Sequence, residues 1–123
     1  MNSQESVSLN SSLNSQHEVR RGENITFQCV TRGSLILAWS SNEYIDDRIE
    51  FSVVDNVGAM RAPNTYTTAV LVDVHTDRNG QMFIESHLNI VVQSNLLTSS
   101  ITCHNGGTGD TRSISFQLSS MLA

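Results

Sequence analysis

The sequence predicts an all-β fold. Three observations carry this: apolar residues recur with period two along most of the 123 residues, helical spacing is hard to find, and Gly- or Asn-Gly-containing turns separate the alternating runs. The length suits one domain, taken as 1–123, with a single core.

Val7 with Leu9 gives a weak first strand and Val19 a short edge, with a serine-rich, partly irregular stretch filling most of 1–18. The pattern is clearest over 24–29, where Ile25, Phe27 and Cys29 share one face and Asn24, Thr26 and Gln28 the other. After a tight turn over 30–34, Leu35, Leu37 and Trp39 continue the inward parity. Three further strands are expected at 48–54, 67–76 and 81–93. The first carries Ile49, Phe51 and Val53 on one face. In the second, Val70, Val72 and Val74 alternate and Leu71 points the opposite way. Asp77-Arg78-Asn79-Gly80 reads as a hairpin turn in which Asn79 and Gly80 both tolerate positive φ. The third then runs inward through Leu88, Ile90 and Val92. Ile101 and Cys103 share a face, 104–110 is a glycine-rich turn, and Ile114, Phe116 and Leu118 restore alternation in a last strand.

The run Gly22-Glu23-Asn24-Ile25-Thr26-Phe27-Gln28-Cys29, then Trp39, then Ser99-Ser100-Ile101-Thr102-Cys103, resembles the immunoglobulin superfamily over about 22–118. Two cysteines alone are equally compatible with free thiols packed as small apolar groups. The resemblance implies instead a two-sheet Greek-key antiparallel β-sandwich whose sheets are bridged by Cys29 and Cys103, with Trp39 buried against the bridge. The 74-residue separation of the cysteines leaves room for an extra strand and is similar to variable-type domains first, intermediate-type next. This chain departs from the family at several places. Ile101 stands where a corner tyrosine is usual, Ser40-Ser41-Asn42 follow the tryptophan, and the last strand has no Phe-Gly-x-Gly bulge. Pairing in the antibody manner is therefore not expected.

Composition narrows the function classes. A formal charge of -5, with only seven Lys and Arg scattered along the chain, argues against nucleic acid and anionic lipid. No apolar run reaches the ~20 residues that a membrane span needs. The opening residues Met1 to Glu5 carry no signal-peptide pattern, so Met1 reads as an expression start on an excised piece of a longer protein. Asn10-Ser11-Ser12 and Asn24-Ile25-Thr26 are sequons that a secretory route would make available for N-glycosylation.

No serine stands in a Gly-x-Ser-x-Gly elbow, and no enzymatic activity is expected. His75, His87 and His104 lack ligand spacing for zinc. Asp73, His75, Asp77 and Asn79 place oxygen ligands on alternate positions as a calcium loop does, but Arg78 occupies the place of the required glycine. No metal or cofactor is expected. With aromatics at 6% and Phe27, Trp39, Phe51 and Phe116 assigned to the core, Tyr44 and Tyr66 are the tyrosines left for a surface platform.

The expected function is an extracellular ligand-recognition or adhesion module from the ectodomain of a cell-surface receptor or adhesion protein, or a secreted one, binding a protein ligand or itself. Two surfaces are candidates: the face of the sheet containing Trp39 and Cys103, and the loop His104, Asn105, Gly106, Gly107, Thr108, Gly109 and Asp110. Exposed Val54, Met60, Leu71 and Val91 form either an apolar interface patch or scattered surface residues. The alternatives are a spacer domain without a ligand and a secreted carbohydrate-binding β-sandwich.

Overall fold

The computed structural model describes residues 6–93 and 97–119, so Met1 to Glu5 lie outside it. Among the described residues there are ten strands and no helix: β1 (Val7–Ser11), β2 (Glu18–Val19), β3 (Asn24–Arg32), β4 (Ile36–Ser41), β5 (Ile45–Ser52), β6 (Met60–Asn64), β7 (Thr67–Thr76), β8 (Met82–Val91), β9 (Thr98–Asn105) and β10 (Thr111–Leu118). They form two five-stranded sheets, ordered β1-β3-β8-β7-β6 and β2-β10-β9-β4-β5. All neighbours run antiparallel except the two-residue β2–β10 contact.

The sheets face each other as a sandwich because strands such as β3, β8 and β9 segregate their buried residues to one side. Along β3 burial alternates without a break from Asn24 to Thr31, and β8 repeats it through Ile84, Ser86, Leu88 and Ile90. Phe27, Leu71, Ile84 and Leu88 from one sheet meet Leu37, Trp39, Phe51 and Ile101 from the other, all fully buried. Cys29 on β3 and Cys103 on β9 form a disulfide that joins the two sheets, with Cα atoms 6.5 Å apart. Trp39 lies opposite Cys103 in the β4–β9 register. Its Nε1 donates to Ser86 Oγ (2.9 Å), which donates to the Val70 carbonyl (2.8 Å).

Several expectations need correction. Leu35 does not share the parity of Leu37 and Trp39: it sits in the bend before β4 and is 62% exposed. Leu71 points inward with Ala69, while Val70 and Val72 face outward and are half-buried. A register shift in β7 between Leu71 and Asp73 then reverses the parity, so that Val74 packs on the core. Tyr44 is not a spare surface ring. It is buried, its ring lies 6.3 Å from Phe116, and its hydroxyl accepts the Gln93 N–H (3.1 Å). The turn after β7 uses positive φ at Gly80 (78°) and not at Asn79. Asp77 closes that turn, its carboxylate accepting the N–H groups of Asn79 and Gln81. The strand expected at 48–54 begins earlier, at Ile45, and ends at Ser52. Strand β6 was not anticipated, because its sequence Met-Arg-Ala-Pro-Asn neither alternates nor avoids proline.

One core group lacks a partner. Among the described residues, the buried Thr31 hydroxyl has no hydrogen bond. Burying a hydroxyl without a bond is unfavourable, so Thr31→Val, which keeps the shape, is expected to stabilise the domain by ~1 kcal/mol. Urea unfolding checks this, and a destabilised variant would show that the hydroxyl is satisfied in solution.

Candidate functional site

The outer faces of the two sheets differ in chemistry. On the β1-β3-β8-β7-β6 sheet, Asn10 and Asn24 are both exposed on the outward register of β1 and β3. They flank a polar surface in which Gln28 Nε2 donates to Glu85 (2.8 Å), His87 bonds the same carboxylate (2.9 Å) and Asn89 donates to Thr26 (3.2 Å). Both sequons therefore fall on one face. Their acceptor positions are open, since an outward strand residue directs its side chain straight into solvent.

The opposite face, on β10, β9, β4 and β5, is built of small hydroxylated side chains. Ile101, Cys103 and Phe116 point into the core, so the residues between them turn outward in rows: His104 and Thr111, beside Ala38, which is itself fully buried; Ser40, Thr102 and Ser113; Ser100 and Ser115. Thr102 and Ser113 hydroxyls bond each other at 2.6 Å, and Ser40 Oγ bonds His104 Nε2 at 2.7 Å. Burial, and then the positive charge of Arg48, pull the His104 pKa below its ordinary value. The imidazole is thus held toward its neutral form, and the centre of this face carries hydroxyls without charge. Charged groups stand toward one edge, where Arg48 and Glu50 of β5 are exposed. Glu43 accepts the Ser100 N–H (3.1 Å). These outward residues were readable in principle as the alternate positions to Ile101, Cys103 and Phe116, but nothing in their type singles them out.

The loop from His104 to Asp110 is pinned to the body of the domain. Asn105 is 1% exposed; its Nδ2 donates to the carbonyls of Ser6 and Arg32, and its Oδ1 accepts the N–H groups of Gly107 and Thr108. Asp110 accepts from Ser6, and Thr108 also contacts Ser6. Gly106 is needed for close approach, because a Cβ there would stand 2.9 Å from Ile36 Cβ. The surface this loop offers is Gly106 to Asp110, which are exposed, whereas His104 belongs to the sheet face and Asn105 to the interior.

A third feature lies along the connection from β5 to β6. Leu35, Val54, Val57 and Met60 are each at least 60% exposed, and Leu35 is tied to the connection where its carbonyl accepts the Val53 N–H. Leu71, expected in such a patch, is buried, and Val91 is half-buried on the other face. The connection is braced by Asp55. The Ser52 N–H, and then the Arg61 guanidinium at 3.2 Å, hold its carboxyl below the usual carboxylate range.

His75, His87 and His104 are not brought together: His75 stacks on Phe83 and bonds Asp73, His87 bonds Glu85, and His104 lies on the other sheet. No group of three potential metal ligands is found among the described residues. Ser40 and His104 form a hydroxyl–imidazole contact, and no carboxylate bonds the second imidazole nitrogen among the described residues. Comparison with protein families, with curated proteins and with solved structures finds no match.

Proposed function

We propose that this domain is a variable-type member of the immunoglobulin superfamily that recognises a protein on the extracellular side of the cell surface, without catalysis. The segregation of both sequons to one outer face carries the reading. Glycans at Asn10 and Asn24 would cover that face and leave the hydroxyl-rich face of β10, β9, β4 and β5 bare. A face of short side chains with a neutral centre brings a partner close to the backbone at little cost in side-chain entropy. Supporting the family assignment are the bridge between sheets, the tryptophan beside it, and β5, which extends the sheet of β10, β9 and β4 beyond β4. Supporting the extracellular placement are the disulfide, which persists in oxidising compartments, and the sequons.

A glycan wedge tests it. Ser100→Asn creates a sequon with Ile101 and Thr102 in the middle of the bare face. Domain produced through a secretory pathway and coupled to beads is expected to attach to cells. The Ser100→Asn glycoform is expected to lose that attachment, and Asn10→Gln with Asn24→Gln is expected to keep it. Attachment that survives the Ser100 glycan would remove the sheet face as the contact. Beads that attach to no cell and to no other bead would favour the spacer alternative.

A further inference from the structure

The two sheets end in four edges, β1 and β6 on one and β2 and β5 on the other. An unpaired edge offers main-chain donors and acceptors to another strand, and folds normally blunt it. Three of these edges are blunted by being short or interrupted. β2 has two residues, β1 has five, and β6 has five with Pro63 and a register shift. β5 has eight. Alongside it lies an open cleft of about 410 Å³ between Arg48, Ile49 and Glu50 of β5 and Met60 to Pro63 of β6, so the described residues leave this edge uncovered.

The direction of the free groups on β5 follows from its bonds. Val53 N–H turns inward to the Leu35 carbonyl beside β4, whereas Ser52 N–H turns away, to Asp55. By alternation the main chains of Phe51 and Ile49 serve β4, and those of Glu50 and Arg48 face the cleft. β5 also has a register shift with β4, but it lies between Ile45 and Ile49, and Ile49 to Ser52 keep an unbroken register.

We infer that β5 pairs antiparallel with β5 of a second copy of this chain, about a twofold axis at Ile49. The charge order favours this register, the one that sets Arg48 opposite Glu50. Centred on Ile49, Arg48 of each copy stands opposite Glu50 of the other, Asp47 opposite Phe51 and Asp46 opposite Ser52, so no like charges meet. Centring on Arg48 sets arginine against arginine and Asp46 against Glu50. Centring on Asp47 or on Glu50 sets two carboxylates face to face. Charges that would blunt this edge against strangers therefore complement a second copy. The residues that pair, Arg48 and Glu50, are also those whose main-chain groups point outward. Their side chains are exposed, and they form a 3.9 Å ion pair with each other. The product is a continuous ten-stranded sheet across two copies, with the bare hydroxyl face extended on one side. This deepens the recognition reading above by naming a second copy as a partner, and it rests on that reading only for its biological role.

Sedimentation equilibrium of the disulfide-bonded domain at low salt, across micromolar to millimolar concentration, tests the pairing. A monomer–dimer equilibrium is expected. Arg48→Glu and Glu50→Arg, each placing like charges opposite one another twice per dimer, are expected to weaken dimerisation roughly tenfold or more. Arg48→Glu with Glu50→Arg restores the complement and is expected to return the constant to that of the wild type. A monomer throughout, a dimer indifferent to the single charge reversals, or a double reversal without rescue would each overturn the inference. Bead attachment to cells that is blocked by the Ser100 glycan but unchanged by the β5 charge variants would leave the recognition reading standing without the dimer.

Discussion

Cys29→Ala with Cys103→Ala is expected to lower the stability of the domain by ~4 kcal/mol, from the chain entropy that a 74-residue loop denies the unfolded state. That is a large part of the whole margin, about 5–15 kcal/mol, of an ordinary domain. Both sulfurs lie in the fully buried layer between the sheets, so alanine also leaves a small void that adds to the loss. Urea unfolding of the wild type and the double variant measures the effect as a lower midpoint. The slope is expected to be steeper, because the uncrosslinked chain unfolds to a more expanded state. A loss below about 1 kcal/mol would show that the bridge contributes little beyond what packing supplies.

Trp39→Ala is expected to cost ~3–5 kcal/mol, since the ring is wholly buried and opposite Cys103 at the centre of the sandwich. The indole is also a polar link between the sheets. Trp39 stands on β4, Ser86 on β8 and Val70 on β7, and the chain of bonds from Nε1 through Ser86 Oγ to the Val70 carbonyl crosses the core. Ser86→Ala is expected to cost ~1–3 kcal/mol by leaving the buried Nε1–H unpaired. Trp39→Phe, which loses the donor and part of the volume, is expected to fall between the two. Tryptophan fluorescence during denaturation follows the serine variant, and circular dichroism follows the other two. A Trp39→Phe loss as large as that of Trp39→Ala would mean that the hydrogen bond outweighs the volume.

Much of the architecture was legible because a half-buried strand writes its burial directly into the chain. Ile25, Phe27 and Cys29 on β3 and Leu88 with Ile90 on β8 are inward as their alternation implies. The pattern misled where the backbone departs from simple pleating. In β7 the register shift after Leu71 reverses the parity, and the stretch from Val70 to Val74, aliphatic except for Asp73, holds no mark of the residue at which this happens. Leu35 is apolar and at the right spacing, yet it lies before β4 begins, in the bend. Tyr44 was indistinguishable from Tyr66 in sequence; only the packing against Phe116 and the Gln93 N–H separates a buried ring from one that is 46% exposed.

The candidate surfaces were legible in a different measure. Asn10 and Asn24 were recognisable as sequons, but their sharing a face depends on β1 pairing with β3 so that Asn10 meets Gln28. The glycine-rich loop was visible, yet Asn105, its first neighbour, is a buried anchor, because the carbonyls it bonds come from Ser6 and Arg32, far away in the chain.

By itself, then, the sequence determined the all-β class and the inward faces of β3, β8, β9 and β10, because a period of two is a local property of extended chain. Resemblance added the cysteine pair and the tryptophan. Tertiary structure alone decided which strands became neighbours, where β7 shifts register, that β5 ends one sheet as a long free edge, and that the sequons and the hydroxyl rows occupy opposite faces. These features are set by contacts between residues tens of positions apart, and the free energy of such contacts depends on long-range loop closure and packing that no local pattern records.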